Sequence, residues 1–291
     1  MVQAYNQIEM DLWESAARNI GVNLEPYSKV ERKKLVGSGL EFELILAPER
    51  KKRLVQDTKV ENNWQGKTPD SLCMELRRWE EKGDNMLDSR EYSDYLVCPN
   101  KFPIEKGHVV IINKDCQKKQ VNHIDLREML RLSNERGYCL WRNMEGTAQT
   151  IPHEHFQGLH GRFPSDKLEI ISFVSGQNLL KNYPWANFVF KGEGGTIDAE
   201  EKMIEWKVME SKDIKIPYTI VCSNNRICVF PIRIPQGRGG IGGLETGLEF
   251  VAYTKEEYEN TNAEDLIGRL EGALYSWPQY REFMEKNKVS S

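Results

Sequence analysis

The chain has 291 residues, and its 40 basic and 44 acidic side chains give a formal net charge of −4. A balance this close to neutral excludes a general attraction to nucleic acid or to an anionic membrane, so any polyanion must be bound by a local cluster of cations. The chain shows no signal peptide and no run of about 18 apolar residues, which predicts a soluble, cytoplasmic protein.

The first half of the chain combines strands, helices and one long polar stretch. Apolar residues in Tyr5–Ile20 recur at helical spacing and predict an amphipathic helix. The polar stretch Lys59–Ser93 predicts an irregular segment with one short helix near Cys73–Trp79. The other predicted elements of this half are strands at Leu40–Leu46, Tyr95–Cys98, His108–Asn113, Tyr138–Arg142 and Thr150–Leu159, and a helix at Ile124–Glu135 that ends at Gly137.

The second half partly repeats this order of elements, although no sequence repeat and no Gly-, Ser- or Pro-rich linker is present. Its glycine-rich stretch Gly237–Gly247 predicts a flexible flap over the substrate. We therefore expect an α+β fold with antiparallel sheets in a single domain, 1–291, with related halves at about 38–165 and 166–291. The predicted elements are strands at Leu168–Val174, Phe188–Lys191 and Leu248–Thr254, a hairpin at Tyr218–Ile234, and helices at Asp198–Ser211 and Asn262–Met284.

The cysteines indicate reduced thiols, because no Cys-x-x-Cys pair suggests a zinc ribbon and the spacing suggests no secreted disulfide framework. A two-residue turn at 224–225 would pair Cys222 with Ile227 and Cys228 with Val221, so these two thiols are expected on opposite faces. The six cysteines are Cys73, Cys98, Cys116, Cys139, Cys222 and Cys228.

Two histidines and a glutamine alternate along one predicted strand. Side chains at positions i, i+2 and i+4 of a strand share a face, so His153, His155 and Gln157 would line one surface. An imidazole can attack phosphorus and hold it as a phosphoramidate, which is the role we assign to His155. His153 would fix the tautomer of that nucleophile, and Gln157 would donate to the phosphate oxygens.

Two further groups of residues are candidates for binding the substrate. Small side chains and backbone donors before the strand would let a phosphate approach closely, and the binding residues selected there are Asn143, Gly146, Thr147 and Gln149. An aromatic ring beside an amide is suited to binding a base and ribose. The basic run that begins at Arg50 either binds phosphate or is a solvated loop. The binding residues selected there are Asn100, Lys101, Phe102, Arg50 and Arg53.

The segment Asn143–Gln157, NMEGTAQTIPHEHFQ, resembles the active-site strand of the histidine-triad superfamily, in the branch with His-x-His-x-Gln. Tyr95–Ile112, YLVCPNKFPIEKGHVVII, is similar to the strand, Asn-x-x-Pro turn and Gly-His strand of that family's nucleotide pocket. The resemblance covers about Glu41 to Gly161, with weaker similarity at Leu46–Arg53 and at Gly237–Gly247.

This branch contains galactose-1-phosphate uridylyltransferase, diadenosine tetraphosphate phosphorylase and the GDP-hexose phosphorylases. The resemblance implies a histidine-triad-like antiparallel sheet with flanking helices, and a nucleotidyltransferase that forms a covalent nucleotidyl-histidine intermediate on His155. Because the chain has no Cys-x-x-Cys pair and no histidine after His160, it departs from the metal-binding uridylyltransferases. Its short length and its HEHFQ sequence favour the phosphorylases. A structural metal is therefore not expected.

The implied partners are a dinucleoside polyphosphate or nucleotide-sugar substrate and a phosphate or sugar-phosphate acceptor. No cofactor is required, and a divalent cation would serve only as a counter-ion of the substrate. Homodimers are common in the superfamily, so a homodimer is the implied assembly.

Other interpretations stay open. Water as acceptor would make the protein a hydrolase, and a protein without turnover would only bind a nucleotide or a metal. His-x-His also occurs in metal-binding β-barrels, in which His160, His123 or a distant glutamate would complete the ligand set. The two histidines could also be purely structural. For His108 and His123 we favour structural interpretations, His108 capping the sheet and His123 capping a helix.

Overall fold

One large sheet organises the protein, and both halves of the chain contribute strands to it. The computed structural model describes residues 2–19, 21–27, 30–50, 81, 94–115, 121–143, 155–172, 177–210, 216–233 and 241–286. The strands of the described residues are β1 (Glu31–Gly37), β2 (Leu40–Leu46), β3 (Tyr95–Pro99), β4 (Val109–Asn113), β5 (Tyr138–Asn143), β6 (His155–His160), β7 (Ile170–Ser172), β8 (Asn178–Leu180), β9 (Phe188–Lys191), β10 (Tyr218–Ser223), β11 (Arg226–Pro231) and β12 (Glu249–Ala252).

The α-helices of the same residues surround this sheet, and none of them is both long enough and apolar enough to span a bilayer. They are α1 (Val2–Asn19), α2 (His123–Arg136), α3 (Gly195–Glu210), α4 (Gly243–Thr246), α5 (Lys255–Asn260), α6 (Ala263–Ala273) and α7 (Trp277–Lys286).

The large sheet has the strand order β3-β4-β6-β5-β10-β11-β9-β8-β7, and every neighbouring pair is antiparallel. The junction between the halves is the pair β5 and β10, in which Trp141 lies opposite Val221. A second sheet has the order β1-β2-β12, and its β2 and β12 run parallel. The predicted α+β class, with a large antiparallel sheet and flanking helices, is confirmed.

The large sheet carries a hydrophobic core on each face. One core joins Phe156 and Leu140 of the sheet to Trp13 of α1 and Met129 of α2. The other core joins Leu159 and Trp141 to the small sheet and to α4 and α6. Successive residues of β5 and β6 therefore point alternately to the helices and to the small sheet.

Helix α2 shows why several predicted boundaries are accurate. The Asn122 side chain accepts from the amides of Ile124 and Asp125, and the Asp125 carboxylate accepts in return from the Asn122 amide, so a capping box starts the helix. Gly137 ends it in the left-handed conformation, with φ of 71°. His123 follows the cap and pairs with Glu200 of α3, so its predicted role as the helix cap was wrong.

The hairpin of β10 and β11 confirms the prediction for the cysteines. Cys222 lies opposite Ile227 and Cys228 opposite Val221. The two thiols are buried in the two different cores, Cys222 with the helices and Cys228 with the small sheet. Asn225 adopts a left-handed φ of 57°, as this type of two-residue turn requires.

The predicted single helix Asn262–Met284 was wrong, because two helices, α6 and α7, occupy that span. Between them Leu274 is extended, with φ of −96° and ψ of 154°, and it forms a β-bridge with Ile232. Pro278 follows at the start of α7, where a missing amide costs nothing, whereas in a continuous helix it would break a hydrogen bond.

Two other predictions of strands need correction. The predicted strand Leu168–Val174 starts too early, since a 3-10 helix ends at Lys167 and β7 begins at Ile170, and its last two residues lie outside the described residues. Strand β1 was missed because Glu31–Gly37 carries four charged residues in a row and lies mostly exposed at the edge of the small sheet. The predicted segment Lys59–Ser93 lies outside the described residues, apart from Glu81.

Candidate functional site

His155 and Gln157 lie on one face of β6, as their spacing predicts. β6 lies between β4 and β5, with His155 opposite Ile112 and Gln157 between Val110 and Trp141. Their side chains share the face of Leu159, which points to the small sheet. Each residue is only 8% exposed, so an imidazole and a carboxamide are held together in a poorly solvated region of the sheet.

Asn143 ends strand β5 beside them. Trp141 lies opposite Gln157, so the same register continued by two residues places Asn143 beside His155. The amide of Gly243 donates to Oδ1 of Asn143 over 2.7 Å. An amide can only donate, so the atom that it meets must be the oxygen, and the NH₂ group of Asn143 remains for another acceptor.

Gly243 comes from the predicted flap, and the structure corrects that prediction for Ile241–Gly247. Residues 243–246 form helix α4, which packs against β5 and β10. A Cβ on Gly243 would lie 2.6 Å from Cβ of Trp141, so only glycine permits this approach. The glycine is fixed by packing next to the site, and the rest of the predicted flap, 237–240, lies outside the described residues.

A second carboxamide network meets Gln157 from the turn between β3 and β4. Nε2 of His108 lies 3.2 Å from Oε1 of Gln157, and Nδ2 of Asn100 lies 3.4 Å from the same oxygen. His108 is fully buried, and its ring packs against Trp141 with 5.5 Å between the ring centroids. His108 lies directly before β4, where its carbonyl oxygen accepts from the Asn100 amide over 2.8 Å, and its side chain in addition contacts the predicted catalytic glutamine.

The predicted base-binding turn lies beside this network. The amide of Phe102 donates to Oδ1 of Asn100 over 2.9 Å, which orients the Asn100 carboxamide, while Lys101 is exposed. Arg50 Nη1 approaches the carbonyl oxygen of Phe102 at 3.4 Å and Nδ1 of His108 at 3.3 Å. Arg50 therefore lies beside the contact between His108 and Gln157, and the rest of the basic run, residues 51–53, lies outside the described residues.

Several predicted residues lie outside the described part of the chain: His153, Gly146, Thr147, Gln149 and Arg53. His108 was not predicted as a site residue, although its side chain contacts Gln157. Its signal was a glycine and a histidine directly before an apolar strand, eight residues after Asn100.

The metal-binding interpretation loses two of its proposed ligands. His160 lies on the opposite face of β6 from His155 and stacks on Tyr138, with 4.1 Å between the ring centroids. His123 pairs with Glu200, on the helical side of the sheet. Among the residues that the structure describes, no group of three or more His, Cys, Asp or Glu side chains is arranged to hold a metal ion.

Burial shifts the pKa values of two groups near the site, His160 on β6 and Glu245 in α4. The pKa of the His160 imidazole falls to about 4, because burial penalises its charged form. Burial also raises the pKa of Glu245 in helix α4, although Arg269 opposes that shift. Glu245 accepts from the amide of Gly242 over 2.9 Å, which closes the first turn of the helix that carries Gly243.

Comparisons with known proteins give a clear likeness of fold and no match in sequence. No protein-family model and no curated protein matches the chain. Among solved structures, yeast Ap4A phosphorylase Apa2 in complex with AMP superposes with a TM-score of 0.65 at 16% identity, covering 94% of this chain and 96% of that one. The same enzyme in complex with Ap4A gives a TM-score of 0.59 at 15% identity, covering 91% and 94% of the two chains. The chain therefore has the fold of this phosphorylase over nearly its whole length.

Proposed function

We propose that this protein is a nucleotidyltransferase that passes a nucleotidyl group through a covalent intermediate on His155. The observation that carries the proposal is the placement of His155 on one face of the sheet beside two oriented carboxamides, those of Gln157 and Asn143. The oxygen of each carboxamide faces a donor of the protein, so each NH₂ group is available to the oxygens of a phosphate. The fold shared with an Ap4A phosphorylase supports the same chemistry.

The reaction would proceed in two balanced steps. In the first step a ring nitrogen of His155 attacks the α-phosphorus, a P–N bond forms, and the P–O bond to the leaving group breaks with its electron pair on that oxygen. In the second step an oxygen of the acceptor attacks the same phosphorus, the P–N bond breaks, and the imidazole is restored. The carboxamides of Gln157 and Asn143 would donate to the non-bridging oxygens as negative charge develops there.

The substrate class that we favour is a dinucleoside polyphosphate, with phosphate as the acceptor, because the similar solved structures are of a phosphorylase with AMP and with Ap4A. A nucleotide sugar is the second candidate within the same mechanism. His153, Gly146, Thr147, Gln149 and Arg53 are proposed to complete the site, and Asn100, Phe102 and Arg50 to bind the nucleoside and its phosphates.

Intact-protein mass spectrometry tests the proposal. The protein is incubated briefly, without acceptor, with Ap4A and with UDP-, ADP- and GDP-sugars, and wild type is compared with His155→Ala. We expect an acid-labile mass increase of one nucleoside monophosphate that the variant lacks. His123→Ala is the matched control, because His123 lies at the start of α2 on the helical side and its side chain is 42% exposed.

Adding phosphate then identifies the acceptor. A phosphorylase releases the nucleoside diphosphate from the adduct, whereas a hydrolase releases the monophosphate in water. Turnover by wild type without any adduct, or an adduct that persists in His155→Ala, would refute the covalent role of His155.

A further inference from the structure

The orientation of Gln157 depends on the protonation of a buried neighbour, His108. Its Nδ1 accepts from the amide of Ile104 over 3.0 Å and lies 3.3 Å from Nη1 of Arg50. Both of these groups can only donate, so Nδ1 must be unprotonated. The proton of the imidazole is therefore on Nε2, which lies 3.2 Å from Oε1 of Gln157.

The contacts of Asn100 also indicate that Oε1 of Gln157 is a hydrogen-bond acceptor. The amide of Phe102 meets Oδ1 of Asn100 at 2.9 Å, so the other end of that carboxamide is the NH₂ group. This group lies 3.4 Å from Oε1 of Gln157 and 3.3 Å from Nε2 of His108. Because Nε2 carries the proton when Nδ1 is the acceptor, Nε2 cannot accept, and the NH₂ group donates to Gln157. Two backbone amides thus fix two side chains, and both side chains direct a donor at the same atom of Gln157.

We propose that His108 is a positioning residue, whose Nε2–H holds Oε1 of Gln157 and so keeps the Gln157 NH₂ group turned toward the reacting phosphate. The proposal rests on the function proposed above for Gln157. If the Gln157 carboxamide were flipped, its NH₂ group would face the donors of His108 and Asn100. A buried donor left without an acceptor is destabilising, so the flipped orientation is disfavoured.

Replacing His108 by phenylalanine keeps a planar ring against Trp141 and removes both nitrogens. With one donor lost, Gln157 is held by Asn100 alone and samples the flipped orientation more often. We expect the rate of adduct formation to fall about 10-fold, less than the loss of 100-fold or more that removal of a complete transition-state donor can cause. His108→Gln, which can place an NH₂ group near the position of Nε2–H, is expected to recover part of the rate.

A double-mutant cycle separates positioning from a general structural role. In a Gln157→Ala background His108→Phe should have no further effect on the rate of adduct formation, because the residue through which it acts is absent. A structural role would lower the rate by the same factor in both backgrounds. Equal factors, in variants that keep the wild-type circular dichroism spectrum and melting temperature, would overturn the proposal.

NMR of the ¹⁵N-histidine-labelled protein tests the tautomer without any turnover. The His108 resonances, identified by their absence from His108→Phe, should show a protonated Nε2 and an unprotonated Nδ1. A proton on Nδ1 would overturn the proposal even if the adduct forms. If wild type forms no adduct with any nucleotide, the proposed function fails, and the tautomer alone then decides whether His108 donates to Gln157.

Discussion

Substitution of Gly243 by alanine would test whether close packing of α4 against β5 holds the site together. The new Cβ would lie 2.6 Å from Cβ of Trp141 and 3.2 Å from the carbonyl oxygen of Ile220. Neither atom is the end of a flexible side chain, so α4 must move away from the sheet. The amide of residue 243 would then lose its hydrogen bond to Asn143.

The expected loss of stability follows from these two contacts. Overpacking of a tight core costs about 1–3 kcal/mol, and the lost hydrogen bond adds about 1 kcal/mol, so the free energy of unfolding should fall by about 2–4 kcal/mol. Adduct formation should also slow, by about 10-fold, because the carboxamide of Asn143 would no longer be oriented.

Urea unfolding followed by circular dichroism measures the first effect, and mass spectrometry of the adduct measures the second. Gly268→Ala is the matched control: Gly268 is exposed in α6, and a Cβ there would meet nothing within 4 Å. Alanine should raise stability at that helical position by up to about 1 kcal/mol. If Gly243→Ala were as stable and as fast as wild type, the close approach would not be what requires glycine.

Two further predictions concern stability. Asp166 and Arg226 form a buried ion pair at 2.8 Å, so Asp166→Ala should cost about 3–5 kcal/mol in urea unfolding by leaving a buried cation unpaired. Lys255→Ala removes the cation of an exposed ion pair with Glu31 and should leave the urea midpoint nearly unchanged, and equal losses in the two variants would contradict the role of burial. The folded pKa of His160, about 4, lies below the usual value of 6.5, so the unfolded chain binds the extra proton first as the pH falls. This contribution to stability is complete above about pH 6.5 and is lost toward pH 4, by about 3 kcal/mol in total. His160→Phe keeps a ring stacked on Tyr138 and does not titrate, so this variant should lose less stability than wild type as the pH falls. Urea midpoints at successive pH values measure the difference, and parallel curves for the two proteins would refute the shift of the His160 pKa.

The chain shares its fold with a phosphorylase at only 16% identity, so only short segments of the sequence retain a recognisable pattern. Alternation along a strand is a local rule, so the common face of His155 and Gln157 could be predicted from spacing alone. The same rule and a two-residue turn gave the opposite faces of Cys222 and Cys228. Local hydrogen bonds also fixed the end of α2 at Gly137, because a left-handed glycine terminates a helix in any tertiary context.

Residues distant in sequence decided the rest. The extended Leu274, which divides the carboxyl-terminal helical region, pairs with Ile232, and no pattern within that region indicates the partner. Strand β1 is a strand because β2 supplies its hydrogen bonds, although its own side chains are mostly charged. Periodicity reports burial of a segment, and it cannot report a pairing whose energy comes from backbone groups.

The sequence by itself determined that His155 and Gln157 share a face, since side chains two residues apart on a strand point the same way. Only the tertiary structure decided how they are oriented. The amides of Ile104, Phe102 and Gly243 lie far from β6 in sequence, yet they determine which end of each site side chain donates. A backbone amide can only donate, so the fold imposes the direction of these hydrogen bonds when it brings the segments together.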